Sequence, residues 1–517
     1  MGKKEIILII AIIIFSVLIG QSTSGNIFFG DLNMIDEGQF AAWANHMLHG
    51  KMMYKDLYIV YGPLYVYPLY LLFKILSPSA FLVRLYLTLG GTFGIIAIYF
   101  VMVELKLNRI VKSLLLILFL CLPMLNLRES MAIWCLYFLL KTTTKSSKHS
   151  FLILGILSSI TLLVSQDFGI FILLVSAFHL FYSRLFAHNT LNKHGIRDYI
   201  VGYVTIIICF TGWAFKEGWL LDYIRVATGV SVDLSSINVP NGQNFPNPLS
   251  YFALHTVGMN VKYFFSKDVL LYVSILVYFA SFFYLTVNYV KRKLVNTNYK
   301  LLLVTLYGIL LYCILLTRNG IGHYYYTLPA VLLICGYFLN QLLFINKKIT
   351  LLSSALTIVI LSFFIRLLYL NNPELKQSLN IHNYLPIHTN NPYRVGIINI
   401  SKSQATKISL LQTFIFKNTK KSDYVFFFND EPMMYMLVDR VNPTDYDLPF
   451  AGNTLDKRIK MLNQVAMKKP KYIFIDNDVW AVDGINNKTR LPELTKYLYS
   501  HYHLIKTTNN VQIFQFI

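Results

Sequence analysis

A polytopic α-helical membrane protein with a small α/β domain towards its C-terminal end is the fold class this sequence predicts, on three observations. The first is composition: of 517 residues, 55% are hydrophobic and only 14% charged, with a mean hydropathy of +0.52. That is too apolar for an ordinary water-soluble globule of this length. The second is the recurrence of apolar spans of roughly bilayer length over the first 370 residues. The third is a change of character after Asn371, where polar residues rise and short β-like runs begin to alternate with helix-like ones.

In chain order the apolar spans are 6–20, 81–103, 113–125, 130–140, 151–165, 168–182, 199–215, 269–290, 301–316, 324–345 and 349–369, about eleven in all. The stretch 5–20 follows Lys3 and Lys4, as a cleaved signal peptide also would, and is read here as a retained first helix with its amino end in the cytoplasm. Basic links occur at Lys106/Arg109/Lys112, Lys141/Lys145/Lys148, Arg184/Lys193/Arg197, Lys291/Arg292/Lys293/Lys300 and Lys347/Lys348. With helices alternating in direction, all of these fall on one side, which the positive-inside rule makes cytoplasmic. The Asp36 loop, the 216–268 loop and the polar tail are then extracytoplasmic. Much of the formal net charge of +21 sits in these links, so it sets orientation and argues against nucleic acid. Cys121, Cys135, Cys209, Cys313 and Cys335 all lie in or beside apolar spans, where no disulfide framework or thiolate metal site is indicated.

The loop after the first span carries the residues of most interest. Asp36 and Glu37 open a stretch in which Phe40, Trp43 and Met47 recur at helical spacing and Gly50 ends the run. This predicts a short amphipathic helix lying along the membrane interface. Gly62 and Pro63 then open a segment, 64–76, interrupted by Pro68 and Lys74, which reads as an interfacial or re-entrant helix. In the tail, 393–400, 424–428, 472–476 and 511–517 are β-like, while 410–416, 456–468 and 492–502 are helix-like, predicting a small α/β fold. The predicted domains are therefore a membrane domain over 1–370, its first outer loop (21–80) carrying the active site, and an extracytoplasmic domain over 371–517.

Two readings of Asp36-Glu37-Gly38-Gln39 stand side by side. The residues fit a helix N-cap, with the Asp36 carboxylate on backbone N–H groups and Gln39 reaching back. They also fit a general base at the water boundary, able to take a proton from an attacking hydroxyl. Lys55, Asp56 and Tyr61, with Tyr54 and Tyr58, make either a wet aromatic surface suited to sugars or an interfacial aromatic belt. Arg84, Arg128 with Glu129, and Asp167 approach the same outer level; each alone reads as a snorkelling or turn residue, and together they supply charge on one face. Arg318 and His323 stand in a glycine-flexed turn, where they could grip a phosphate or simply be solvated. No P-loop or other phosphate-binding glycine loop occurs, so a transferase acting on the outer face needs a donor delivered within the membrane.

The run Asp-Glu-Gly-Gln-Phe-Ala-Ala-Trp-Ala-Asn-His-Met-Leu-His-Gly from Asp36, then Tyr-Lys-Asp, Tyr-Gly-Pro-Leu and Arg84, resembles the first outer loop of polyprenyl-phosphate-dependent glycosyltransferases of the GT-C fold. It is most similar to the bacterial branch of protein mannosyltransferase-like and aminoarabinose transferase-like membrane enzymes. Asp-Tyr-Val-Phe-Phe-Phe and Lys-Pro-Lys-Tyr-Ile-Phe-Ile-Asp in the tail also resemble the extracytoplasmic domain of such proteins. The resemblance implies inverting transfer of a hexosyl or pentosyl group from a polyprenyl-phosphate sugar to an extracytoplasmic glycan, lipid or protein. Asp36 is then the catalytic base, Glu37 shapes the acceptor site, and Asp167 is the acidic residue before a glycine at the outer end of a helix. Arg84, Arg318 and His323 contact the donor phosphate. Related enzymes often carry a lysine near the position of Asp167, where this chain has Ser165 and Gln166. No cofactor or essential metal is expected. The competing classes are a transporter or flippase of lipid-linked glycans, which would favour charges in mid-span or broken helices, and a non-catalytic assembly subunit.

Overall fold

The computed structural model describes residues 3–19, 26–121, 125–143, 149–186, 193–237, 267–291, 296–317, 325–345, 391–477 and 485–517. Among the described residues the first thirteen helices are α1 (Lys3–Ile19), α2 (Asp36–Leu48), α3 (Pro63–Leu76), α4 (Ala80–Glu104), α5 (Arg109–Cys121), α6 (Leu127–Thr142), α7 (His149–Val164), α8 (Gln166–Phe186), α9 (Lys193–Lys216), α10 (Leu220–Ile237), α11 (Lys267–Val290), α12 (Asn296–Thr317) and α13 (Leu328–Ile345). Then come α14 (Lys402–Asn418), β1 (Val425–Phe427), α15 (Met433–Leu437), α16 (Leu455–Lys468), β2 (Tyr472–Asp476), α17 (Asn487–Arg490), α18 (Pro492–His501), β3 (Tyr502–Thr508) and β4 (Val511–Phe516). The chain divides into two compact units, one drawn from segments 1–25, 87–212 and 243–379, the other from 26–86, 213–242 and 380–517.

The first unit is helical. Each predicted span from 6–20 to 324–345 is met by a helix; the eleventh, 349–369, lies outside the described residues. Five helices among the described residues are long and apolar enough to cross a membrane: Ala80–Glu104, Gln166–Arg184, Gly195–Lys216, Tyr272–Val290 and Thr297–Ile314. Their outward faces carry bare apolar side chains, with Ile208 64%, Phe279 70% and Phe283 73% exposed. Such surface is stable against lipid and not against water. Inward, Ile98, Val101, Leu118, Phe119, Leu136, Leu139, Phe168, Val304 and Ile334 form one continuous core. Helices α7 and α8 meet closely: a Cβ on Gly169 would stand 2.3 Å from the Leu162 backbone, so only glycine fits there.

In the second unit the tail folds as a four-stranded sheet of order β1-β2-β4-β3, with β1 parallel to β2 and the other neighbours antiparallel. Phe426, Phe428, Ile473, Ile475 and Phe514 pack with Met461 and Val465 of α16 and Leu494 and Leu498 of α18 to form its core. The β3–β4 hairpin turns through Asn509 and Asn510, both at positive φ (47° and 62°), a backbone shape that asparagine tolerates and that matches strand twist. Two expectations need correction here. Segment 393–400 is turn and coil with a single bridge, Phe29 to Asn399, because its backbone groups pair with the segments near residues 28–30 and 80–81 instead of with the sheet. Strand β3 arises over residues for which, beyond Tyr502, no regular element is expected from the sequence.

The reading of α2 as an amphipathic helix is also corrected. Glu37, Gly38 and every residue from Phe40 to His46 are buried, so α2 has no broad lipid-facing or water-facing side. It packs against α3 and α15 in its own unit. Small side chains at Ala41, Ala42 and Ala44 permit this, and Gly38 requires it: a Cβ there would meet the Met433 backbone N at 2.5 Å.

Candidate active site

Residues 26–35 form an irregular loop that leads into α2. Asn33 sets the start of the helix, its Oδ1 accepting from the backbone N–H of Asp36 (2.8 Å) and of Ile35 (3.1 Å). Ile35 takes the N-cap position without a side-chain cap, and Asp36 falls one residue inside the helix. The N-cap reading of Asp36 is therefore displaced. The Asp36 carboxylate is exposed and accepts from Asn33 Nδ2 at 3.1 Å. Both Asp36 and Glu37 lie in the first turn, where the helix dipole favours negative charge.

Glu37 turns the other way. Its Oε2 accepts from the Asn33 backbone N–H (3.1 Å), and its Oε1 accepts from Arg84 Nε (2.9 Å), both side chains of the pair being fully buried. Arg84 Nη1 donates to the carbonyls of Asn26 (3.2 Å), Phe29 (3.3 Å) and Gly30 (3.0 Å), and Nη2 to that of Asp31. This corrects two expectations. Arg84 is enclosed by loop carbonyls and has no face to offer a donor phosphate, and Glu37 is sealed from any acceptor; together they hold the loop that leads into Asp36.

The far end of α2 is anchored by polar groups. His46 Nε2 lies 2.8 Å from Asp447 Oδ1, which also accepts from Asn442 Nδ2 at 2.9 Å. Burial lowers the His46 pKa despite Asp447, and its Nδ1 is buried without a partner among the described residues. Burial alone would raise Asp447, but His46, Lys51 and Asn442 outweigh it and hold the carboxyl below its usual range. Neutral His46 thus donates to a carboxylate. Lys51 Nζ donates to the carbonyls of Asn442 (2.9 Å) and Thr444 (3.0 Å), and burial brings its pKa down to about 8. One turn on, His49 Nε2 lies 3.3 Å from Asp439, which also pairs with Arg394 at 3.0 Å.

Lys55, Asp56 and Tyr61 follow in the same unit. Lys55 is exposed, whereas Asp56 closes the turn locally by accepting from the Met52 backbone N–H at 2.9 Å. Tyr61 is stacked on Phe40 (5.7 Å between centroids) and edge-on to Tyr65, and its carbonyl accepts from the Tyr54 hydroxyl at 2.8 Å. Tyr54 itself is buried against Trp219 and Tyr223. Most of this aromatic surface is thus engaged within the fold.

Asp167 belongs to the first unit. Its Oδ2 accepts from Arg128 Nη2 (2.8 Å), its Oδ1 from the Phe168 backbone N–H (2.9 Å) and from the Ser165 hydroxyl, and its side chain is 38% exposed. Arg128 Nε donates to Ser165 Oγ (2.8 Å), and its guanidinium lies over the rings of Phe168 and Tyr326. Glu129 completes a capping box with Asn126 at the start of α6. Arg318 and His323 lie outside the described residues. Among the described residues no three His, Cys, Asp or Glu side chains gather as a metal site.

Sequence reasoning missed Asn33, Ser401 and Gln404, which shape the Asp36 loop. Asn33 was discoverable from its spacing three residues before Asp36; the other two are some 370 residues away in the chain.

No family model and no curated protein matches the sequence. Among solved structures the chain is similar to ArnT from Cupriavidus metallidurans bound to undecaprenyl phosphate, at 10% identity and a TM-score of 0.53, covering 99% of this chain and 98% of that one. The apo state of the same protein matches at 11% identity and a TM-score of 0.53, with 98% and 97% covered. At this identity the likeness is one of fold, and it extends over nearly the whole of both chains. The resemblance to the aminoarabinose transferase-like branch is met at that level.

Proposed function

We propose that this chain is a membrane glycosyltransferase that moves a sugar from a polyprenyl-phosphate-linked donor to an acceptor hydroxyl on the extracytoplasmic side. The carrying observation is the split within the acidic pair: Glu37 is engaged by Arg84, while Asp36, on the same helical turn, is exposed at the start of α2 behind a braced loop. The fold supports the donor class, since the similar ArnT structure holds undecaprenyl phosphate. In the proposed step Asp36 takes the proton of the acceptor hydroxyl as that oxygen bonds to the anomeric carbon. The bond from that carbon to the phosphate oxygen breaks with inversion, and polyprenyl phosphate departs as the anion. Asp167 and Lys55 are proposed to contact the sugars, and Arg318 and His323 the phosphate, whose developing charge needs cations.

The test is sugar transfer by the purified full chain in lipid, with a panel of radiolabelled polyprenyl-phosphate sugars and membrane extracts as acceptors. Asp36→Asn should lower transfer by at least about a hundredfold, the lower end of the range for losing a general base. Full transfer by a normally inserted Asp36→Asn would overturn the base assignment. A folded wild-type protein that transfers none of the sugars would overturn the reaction class.

A further inference from the structure

The segment 28–34 has no regular secondary structure, yet it is hydrogen-bonded at Phe28, Gly30, Asp31, Leu32 and Met34 to the C-terminal part of its own unit. Asn399 N–H donates to the Phe28 carbonyl (2.8 Å), and Gly30 N–H to the Asn399 carbonyl (3.0 Å). The Asp31 carboxylate accepts from the backbone N–H (2.8 Å) and hydroxyl (3.1 Å) of Ser401. Gln404 then makes a two-pronged pair with the Leu32 backbone: its Oε1 accepts from Leu32 N–H (2.8 Å), and its Nε2 donates to the Leu32 carbonyl (3.0 Å). Finally Met433 N–H donates to the Met34 carbonyl at 3.2 Å, two residues before Asp36.

The element that carries Gln404 is itself held firmly. Helix α14 buries Ile408, Leu411 and Ile415, its Lys407 pairs with Glu431 (2.6 Å) and with Asp476 at the end of β2, and its Gln412 binds the backbone of Tyr393 and Leu437. A primary amide is the side chain that matches a backbone N–H and C=O together, so the Gln404 contact fixes the register of the loop as well as its proximity. An irregular loop of this length otherwise samples displacements that ruin proton transfer.

We propose that Gln404 is a positioning residue for Asp36, and that the C-terminal domain is in this way a working part of the active site. The inference rests on the reading of Asp36 as general base. It implies that losing the Gln404 amide slows the chemical step and leaves donor binding intact.

The experiment uses the full chain in lipid, comparing wild type with Asp36→Asn, Gln404→Ala, the near-isosteric Gln404→Glu, and the exposed control Lys402→Ala. Gln404→Ala is expected to lower kcat about tenfold to a hundredfold, the cost of a misplacement of about an ångström. Donor KM should stay within about threefold, and the acidic limb of the kcat–pH profile, which reports the base, should move. Gln404→Glu, which keeps the acceptor half of the pair, should fall between Gln404→Ala and wild type. Wild-type kcat in Gln404→Ala and Gln404→Glu beside a dead Asp36→Asn overturns the inference alone. A loss of kcat that tracks lost folded protein, with an unmoved pH profile, also overturns it; should Gln404→Ala not fold, Gln404→Glu decides by the same readouts. An active Asp36→Asn removes the base reading and this inference together.

Discussion

Two arginine–carboxylate pairs, one in each unit, show how the same chemistry can serve different ends. Glu37 and Arg84 are both fully buried at 2.9 Å, and the remaining guanidinium donors end on loop carbonyls. Asp167 and Arg128 are as close, at 2.8 Å, but the Asp167 side chain is 38% exposed and both partners share Ser165. In the first pair neither charge can leave without stranding the other, so it behaves as a fastener. In the second the carboxylate is left partly uncovered by protein. Sequence position at a helix start does not separate the two; burial does.

The contrast is broken most directly through Arg84. Arg84→Met leaves Glu37 buried without its cation and frees four loop carbonyls, and should destabilise the second unit by about 3–5 kcal/mol, the usual cost of removing one partner of a buried pair. Glu37→Gln retains hydrogen-bonding groups and should cost less. The double change Arg84→Met with Glu37→Leu should recover part of the loss, because no charge is then left buried. Thermal unfolding in detergent, followed by tryptophan fluorescence, measures all three, with buried Trp43 on α2 as a reporter. An Arg84→Met protein that melts with wild type would show that the pair fastens nothing.

How much of this was legible beforehand follows the same division. Helices α4, α8, α9, α11, α12 and α13 announce themselves because lipid demands long apolar runs and leaves little room for exceptions, whereas α10 lies in what reads as an outer loop. Strands β1, β2 and β4 were readable from dense apolar or alternating patterns. Strand β3 was not, because after Tyr502 its side chains are largely exposed, with His503 and Lys506 guarding an edge. The 393–400 run looked like a strand because it is apolar and extended, and its pairing with the segment near Phe29 is a tertiary fact that no local pattern carries. In the candidate site, Asp36 and Glu37 were found by type and spacing. Their separate surroundings turn on Arg84, 47 residues from Glu37, and on Gln404, which binds Leu32 from 372 residues away. Loop carbonyls have no signature in a sequence.

The open pair offers a smaller and opposite test. Asp167→Asn keeps the shape, and because the carboxylate is more than a third exposed its loss should change stability by no more than about 1 kcal/mol. If Asp167 holds a sugar hydroxyl, as proposed above, the same change should raise the KM for donor or acceptor roughly tenfold, the worth of a hydrogen bond to a charged group. Parallel melting curves and transfer kinetics decide the point. A drop in stability like that of Arg84→Met, with KM unaltered, would make Asp167 another fastener and dissolve the contrast.

The closed and open arrangements recur within one turn at the end of α2, and there pH separates them. The His46–Asp447 pair is sealed, with side chains 0% and 1% exposed, whereas the His49 side chain of the His49–Asp439 pair is 26% exposed. Burial lowers the His46 pKa, so below its ordinary value of 6.5 the unfolded chain binds a proton that the folded chain refuses, and stability falls on acidification. The hydrogen bond to Asp439, outweighing burial, raises that of His49; its contribution is therefore complete below 6.5 and is lost as the pH rises through the raised folded value. Asp439 is held below its usual range by His49, against burial and with help from Arg394 and Lys421, and stays charged across this window. His46→Gln should thus reduce the loss of stability between about pH 6.5 and 5, whereas His49→Gln should leave that slope alone and remove a gain of stability on acidification that lies above 6.5, measured as melting temperature against pH. Slopes that change in the same direction for both variants would mean that burial, which divides the two arginine pairs, does not divide the two histidines.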